Sequence, residues 1–251
     1  MMTTATPRTT ITEVHATSED AASAAVDLIE AMLQTGALRN LGVATGSSPG
    51  PLYREMIRRR LDLSDVTLFA LDEYIGLPQG HPESYRAVLA RDVAVPLGVA
   101  ADRVHLPDGV DPAAYDQLIA ATGGVDLQIL GIGRNGHIGF NEPGSSFESR
   151  TRIVELDEST RAANARFFRS LDDVPRQSVT QGIATIMDAR KIFVIVSGAA
   201  KADAVSASID GPRTEAMPAS ILRDHADVTW YLDSAAASQL PLRFPEPGGD
   251  A

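Results

Sequence analysis

The 251-residue sequence predicts an α/β protein with a single open, mostly parallel sheet and helices on both faces. Three observations predict it. Runs at Leu41–Ala44, Val66–Leu71, Val125–Ile132 and Ile192–Val196, with a weaker one at Val228–Leu232, are apolar almost throughout. Strands without polar alternation are covered on both faces, the habit of parallel sheets. Helical stretches separate the runs, as parallel pairing requires. Each run also stops abruptly in glycine, hydroxyl or charged residues, the composition of ligand-binding loops at the carboxyl ends of such strands. The arrangement is Rossmann-like, in one domain over residues 1–240.

In chain order, Ile11–His15 reads as a short first strand. Thr17-Ser18-Glu19-Asp20 then offers an N-cap with acids in the first turn, ahead of Ala21–Gln34. Ala25, Leu28, Ile29 and Met32 recur there at helical spacing, and Gly36 closes the helix. Further helices are predicted over Pro51–Arg60, Glu83–Val93, Pro112–Ala121, Thr160–Phe168 and Ala200–Ile209. One stretch breaks the alternation. From Phe140 to Gln181 the chain is polar, Arg-rich and turn-rich, with no buried strand expected before Ile192. Long connections of that kind are commonly functional, and residues 150–181 read as an Arg-rich lid over a site. Pro241–Ala251 reads as a mobile tail.

Composition narrows the function. Twenty-two Lys and Arg against 33 Asp and Glu leave a net charge of −11. That argues against nucleic acid and against an anionic membrane surface as partners. Cysteine is absent, so thiolate nucleophiles, disulfides and Cys-held metals are excluded together. No run of eighteen apolar residues suggests a membrane span, and Met1–Thr10 has no apolar core of a signal peptide. A cytoplasmic protein is expected.

The unusual polar residues fall at the strand ends. After Ala44 come Thr45, Gly46, Ser47 and Ser48, then a helix. Glycine lets backbone approach a ligand, and a helix N-terminus offers free N–H groups to a phosphate. A plain turn and cap is the alternative, and the Lys-Ser/Thr ending of a Walker loop is missing. After Leu71 stand Asp72 and Glu73, carboxylates suited either to general-base work or to capping. The Gly131–Glu142 loop holds Asn135, His137 and Glu142, where a carboxylate can orient an imidazole for proton transfer. Gly131, Gly133 and Gly136 match the dinucleotide spacing only superficially, and no ligand cluster suggests a metal. Arg150, Arg152, Arg161, Arg166 and Lys201 are the available counter-charges for a phosphate, of which one or two need touch it.

Five segments in order carry a resemblance: ATGSSPGPLY at Ala44–Tyr53, LDEYIGLPQGHPESY at Leu71–Tyr85, GIGRNGHIGFNEPGSSFESRTR at Gly131–Arg152, ANARFF at Ala163–Phe168 and SGAAKADAV at Ser197–Val205. The chain resembles the glucosamine-6-phosphate deaminase (isomerase) family. The resemblance implies conversion of glucosamine 6-phosphate and water into fructose 6-phosphate and ammonia, without metal or organic cofactor. It puts the ring-opening histidine on His137, the C2–C1 proton-transfer carboxylate on Asp72 and the histidine's supporting carboxylate on Glu142. Phosphate binding falls on Thr45, Gly46, Ser47, Ser48, Arg166 and Lys201. It leaves the oligomeric state open, a homo-oligomer among the options. Lactonases acting on 6-phosphogluconolactone and non-catalytic sugar-phosphate sensors share the fold. The Asp72–Tyr74 triplet and the GHIGFNEP run favour the deaminase.

Two departures stand out. Asn135 occupies a position where well-known members carry Asp; it can orient the imidazole but adds no charge. Hexameric members are activated by N-acetylglucosamine 6-phosphate through a Ser, an Arg and a Lys. Ser145 and Arg152 match the first two, but Val154 stands at the Lys position, which implies a non-allosteric enzyme.

Overall fold

Every apolar run named above forms a strand. In the computed structural model, which describes residues 9–241, the chain passes through β1 (Thr9–His15), α1 (Ser18–Gln34), β2 (Asn40–Val43), α2 (Gly50–Arg58), β3 (Thr67–Ala70), β4 (Asp72–Ile75), α3 (Tyr85–Leu89) and β5 (Val104–His105). It continues through α4 (Pro112–Ala121), β6 (Leu127–Leu130), β7 (Arg152–Glu155), α5 (Glu158–Asn164), β8 (Gln177–Thr180), α6 (Ile183–Met187), β9 (Lys191–Val196), α7 (Ala202–Ile209) and β10 (Asp227–Asp233). The expected tail lies outside the described residues but for Pro241, as does the start of the chain before Thr9. No helix among the described residues is long and apolar enough to cross a membrane.

Seven strands pair in parallel in the order β1-β10-β9-β6-β2-β3-β5. Side chains alternate between the faces, and each face is buried. On one, Leu41, Val43, Leu127 and Ile129 pack with Ala25, Ile29, Leu52 and Met56 from α1 and α2. On the other, Leu130, Val194, Trp230 and Leu232 pack with Ile119, Ile186 and Val205 from α4, α6 and α7. The side chain of Thr17 caps α1 by accepting from the Asp20 N–H, and Gly36 leaves it at φ +68°. Strand β2 is set in place by Asp126, which accepts from the Arg39 and Asn40 N–H groups at 2.8 Å each.

From β2 the chain proceeds outward to β3 and β5, whereas from its neighbour β6 it proceeds the other way, to β9 and β10. The two central strands therefore flank a topological switch point, and a crevice opens beyond their carboxyl ends. The loops after them are the TGSS turn and the Gly131–His137 loop.

Two expectations need correction. Asp72 does not merely end the third strand: after β3 the chain turns at Leu71 into β4, the first strand of a separate antiparallel sheet in the order β4-β8-β7. The stretch from Phe140 to Gln181 also contains a buried strand, β8, with Ser178, Val179 and Thr180 inside. Its interior is polar and so has no apolar signature. Ser178 Oγ donates to the Glu73 carbonyl at 2.7 Å, and Thr180 Oγ1 accepts from the Phe140 N–H at 3.2 Å, which offsets the cost of burying them. Residues 152–155 and 177–180 of the expected lid are thus woven into this sheet. Helix boundaries moved too: Glu83–Val93 is α3 followed by a wider π-type turn over Ala90–Ala94, and Thr160–Phe168 is α5 with a 3₁₀ turn over Ala165–Phe167.

Candidate active site

A cavity of about 790 Å³ occupies the crevice, lined by all ten candidate residues except Glu142, which lies directly behind His137. The TGSS turn leaves β2 with Gly46 at φ +92°, a conformation open to glycine, and leads into α2. No side chain caps that helix; Pro49 precedes it, so its first N–H groups are not consumed by a capping oxygen. Ser48 sits 3.1 Å from where a Cβ on Gly131 would be, so the two switch-point loops touch because position 131 is glycine.

Cations gather beside the turn. Lys201 Nζ donates to the Ile132 carbonyl at 2.7 Å, and burial, together with the charges of Arg134 and Arg166, lowers its pKa. Arg166 Nη2 donates to Ser47 Oγ at 3.3 Å, and its guanidinium lies over the Phe167 ring. Arg134 lines the same cavity and was not singled out from sequence. Its only sequence signal was its place in the Gly131–His137 loop. Of the four lid arginines named from the sequence, only Arg166 lines the cavity. Arg150 pairs with Asp188, Arg161 donates to the Leu171 and Val174 carbonyls, and Arg152 donates to Asn141 Oδ1 and Ser145 Oγ.

Asp72 and Glu73 have separate fates. Glu73 is a cap: its carboxylate accepts from the Tyr74, Tyr85 and Arg86 N–H groups at 2.8–2.9 Å and fixes the start of α3. Asp72, 6% exposed, points into the cavity wall. Burial, reinforced by the Glu73 charge, pushes its carboxyl up from the usual 3.8 to about 8. A carboxyl group titrating near neutrality is suited to both taking and returning a proton.

His137 packs flat on Gly133, where an added Cβ would lie 2.4 Å from the imidazole. Its Nδ1 is 3.2 Å from both Glu142 oxygens. Burial opposes ionisation of Glu142, but the hydrogen bond and charge of His137, with bonds from Thr160 and Asn135, outweigh it and hold the carboxyl at about 2. An ionised Glu142 accepts from Nδ1–H, and in the neutral imidazole that tautomer leaves the lone pair on Nε2. Nε2 has no protein partner among the described residues. Asn135 works differently from the sequence reading. Its Nδ2 donates to Glu142 Oε2 at 2.6 Å, and its Oδ1 accepts from the His137 backbone N–H at 3.3 Å. It orients the carboxylate and the loop, not the ring.

Helix α5 covers one side of the cavity through Ser159, Thr160, Ala162, Ala163 and Asn164. Asn164 Nδ2 donates to the Tyr74 hydroxyl at 2.9 Å. Tyr74 in turn packs against Tyr85, Phe140 and Phe168 at ring-centroid distances of 4.6, 5.9 and 5.7 Å. The arrangement gathers a glycine- and hydroxyl-rich turn with cations, a buried carboxyl and an oriented imidazole around one space. Among the described residues, no group of three or more His, Asp or Glu side chains is placed to hold a metal ion.

Residues 12–230 match the family model described as glucosamine-6-phosphate isomerases/6-phosphogluconolactonase. The chain is 53% identical to a glucosamine-6-phosphate deaminase of Pseudarthrobacter chlorophenolicus over 227 residues, 87% of this chain and 88% of that one. It is 46% identical to the enzyme of the same name from Rhodococcus jostii over 239 residues, 91% of this chain and 92% of that one. A solved monomeric glucosamine-6-phosphate deaminase superposes with a TM-score of 0.87 at 39% identity, covering 91% of this chain and 99% of its own. The 6-phosphogluconolactonase of Trypanosoma brucei shares the fold, with a TM-score of 0.75 at 20% identity over 93% of this chain and all of its own.

Proposed function

The chain belongs to the glucosamine-6-phosphate isomerase/6-phosphogluconolactonase family, and from that premise we infer that it converts glucosamine 6-phosphate and water to fructose 6-phosphate and ammonia. The observation that carries the reading to particular residues is the buried, cavity-lining Asp72 carboxyl at about 8, sharing one space with the His137–Glu142 pair.

In this reading the 6-phosphate sits in the Thr45–Ser48 turn before α2, with Arg166 and Lys201 supplying positive charge. Guanidinium and ammonium groups on a phosphate form charge-assisted hydrogen bonds, stronger than neutral ones. His137, its Nδ1–H held by Glu142, uses Nε2 to move the proton between the anomeric hydroxyl and the ring oxygen, which opens the ring. Asp72 then takes the proton from C2 and returns it to C1. The C2–H bond breaks, a C1–H bond forms, a proton passes from the amine to the C1 oxygen, which becomes a hydroxyl, and the C2 amine becomes an imine. Water adds to the imine, ammonia leaves and the ketose remains. A substrate ammonium on C2 would bring positive charge beside Asp72 and favour its ionised form, so binding prepares the base. Asn135 keeps Glu142 aligned without placing a second negative charge beside it.

A cytoplasmic enzyme acting on a phosphorylated amino sugar goes with this reading, supported by the absence of cysteine. The test sets the two activities of the family side by side. Purified protein given glucosamine 6-phosphate is expected to release ammonia, and given 6-phosphogluconolactone to leave its spontaneous hydrolysis unaccelerated. Accelerated lactone opening without ammonia release would refute the assignment.

A further inference from the structure

We propose that Thr160 is a positioning residue that completes the His137–Glu142 pair only when helix α5 is seated over the cavity. The inference rests on the deaminase reading above. The carboxylate of Glu142 is fixed at both ends. Asn135 Nδ2 holds Oε2 at 2.6 Å, Thr160 Oγ1 donates to Oε1 at 2.6 Å, and the imidazole Nδ1 lies 3.2 Å from each oxygen. Asn135 and His137 belong to the loop that carries Glu142. Thr160 does not: it lies eighteen residues further on, in α5. With both ends held, the carboxylate cannot turn about its terminal bond. With Oε1 released, it can rotate away from Nδ1–H.

The attachment of α5 makes this bond conditional. Thr160 is the only buried residue of the helix, and it is polar. No α5 side chain joins the cores on either face of the main sheet. The helix is tied down instead by polar bonds, among them Thr160 to Glu142 and Asn164 to the Tyr74 hydroxyl, with Arg166 to Ser47 just beyond its end. Elements with few buried apolar contacts open most readily. Seating α5 over a bound sugar phosphate and orienting the ring-opening pair are thus one event. A buried threonine ordinarily serves packing through its methyl group. Here its hydroxyl ends on a carboxylate that His137 also needs.

The experiment is steady-state ammonia release from glucosamine 6-phosphate by wild type, Thr160→Val and Thr160→Ser. Valine keeps the shape and removes the donor, and serine restores the donor without the methyl. Loss of a hydrogen bond to a charged group predicts a kcat about tenfold to a hundredfold lower in Thr160→Val, with KM within about twofold. Thr160→Ser is expected to recover most of that loss. An unchanged kcat in Thr160→Val, a change confined to KM, or a serine variant as slow as valine would overturn the inference. If Thr160→Val does not fold, Thr160→Ala against Thr160→Ser makes the same comparison. A wild type that releases no ammonia would overturn the deaminase reading, and this inference with it.

Discussion

Replacing Asp72 by Asn is expected to stabilise the protein while removing its proposed base, and the gain should depend on pH in a defined way. In the folded protein the Asp72 carboxyl titrates at about 8, against 3.8 when unburied. Between those values the folded state holds a proton that the unfolded chain does not. Stability from this group is therefore complete below the unfolded value and is lost as pH rises toward the folded one. One proton of difference makes the slope about 1.4 kcal/mol per pH unit. Asparagine, a neutral isostere, behaves like the protonated acid at every pH. The stability gap between Asp72→Asn and wild type should be small near pH 4, widen by roughly 3 kcal/mol between pH 5 and pH 7, and level off above pH 8. Urea denaturation of both proteins at pH 5, 6, 7 and 8.5 measures it, and taking the difference cancels every other titrating group. A gap that stays flat with pH, or a variant less stable than wild type throughout, would refute the reasoning that Asp72 is a buried carboxyl held protonated.

Three further outcomes are expected. Gly133→Ala drives a methyl into the imidazole from 2.4 Å, so kcat/KM should fall about a hundredfold or more through displacement of His137, with the melting temperature nearly unchanged; full activity would show that the ring does not need its place against Gly133. Arg134→Gln should raise KM up to about fivefold at constant kcat, and the effect should shrink in high salt, because Arg134 is exposed at the cavity near Lys201 and Arg166. Saturation by glucosamine 6-phosphate should be hyperbolic and indifferent to N-acetylglucosamine 6-phosphate, since Val154 supplies no cation and Arg152 is engaged by Asn141 and Ser145; sigmoidal curves relieved by that sugar would contradict it.

The main sheet was legible because its strands are buried on both faces, and continuous apolar runs such as Ile192–Val196 leave few other readings. The second sheet was not. Strand β8 buries Ser178 and Thr180 through hydrogen bonds, β4 begins with Asp72, and β7 alternates between half-buried and exposed residues, so none has an apolar signature. Strand β5 is two residues long and carries too little pattern for any period to show. The candidate site was legible where glycines and polar residues cluster at strand ends, and Thr45–Ser48, Asp72, His137 and Glu142 do gather at one cavity. Partners within the cluster depend on loop geometry that spacing does not encode. Asn135 was expected to face the imidazole and bonds Glu142 instead, and Thr160 looked like the first turn of a helix until its hydroxyl was found on that same carboxylate. Glu73, adjacent to Asp72 and carrying the same carboxyl group, became a helix cap because its side chain reaches the N–H groups of Tyr85 and Arg86.

The central claim is that Asp72 carries the C2–C1 proton transfer that deaminates glucosamine 6-phosphate. Its most direct test is ammonia release from that substrate, without added metal, by wild type and Asp72→Asn at equal concentration. Release by wild type that the substitution abolishes, in a variant that remains folded and binds the sugar phosphate, is the predicted result. Equal release by both proteins would contradict it.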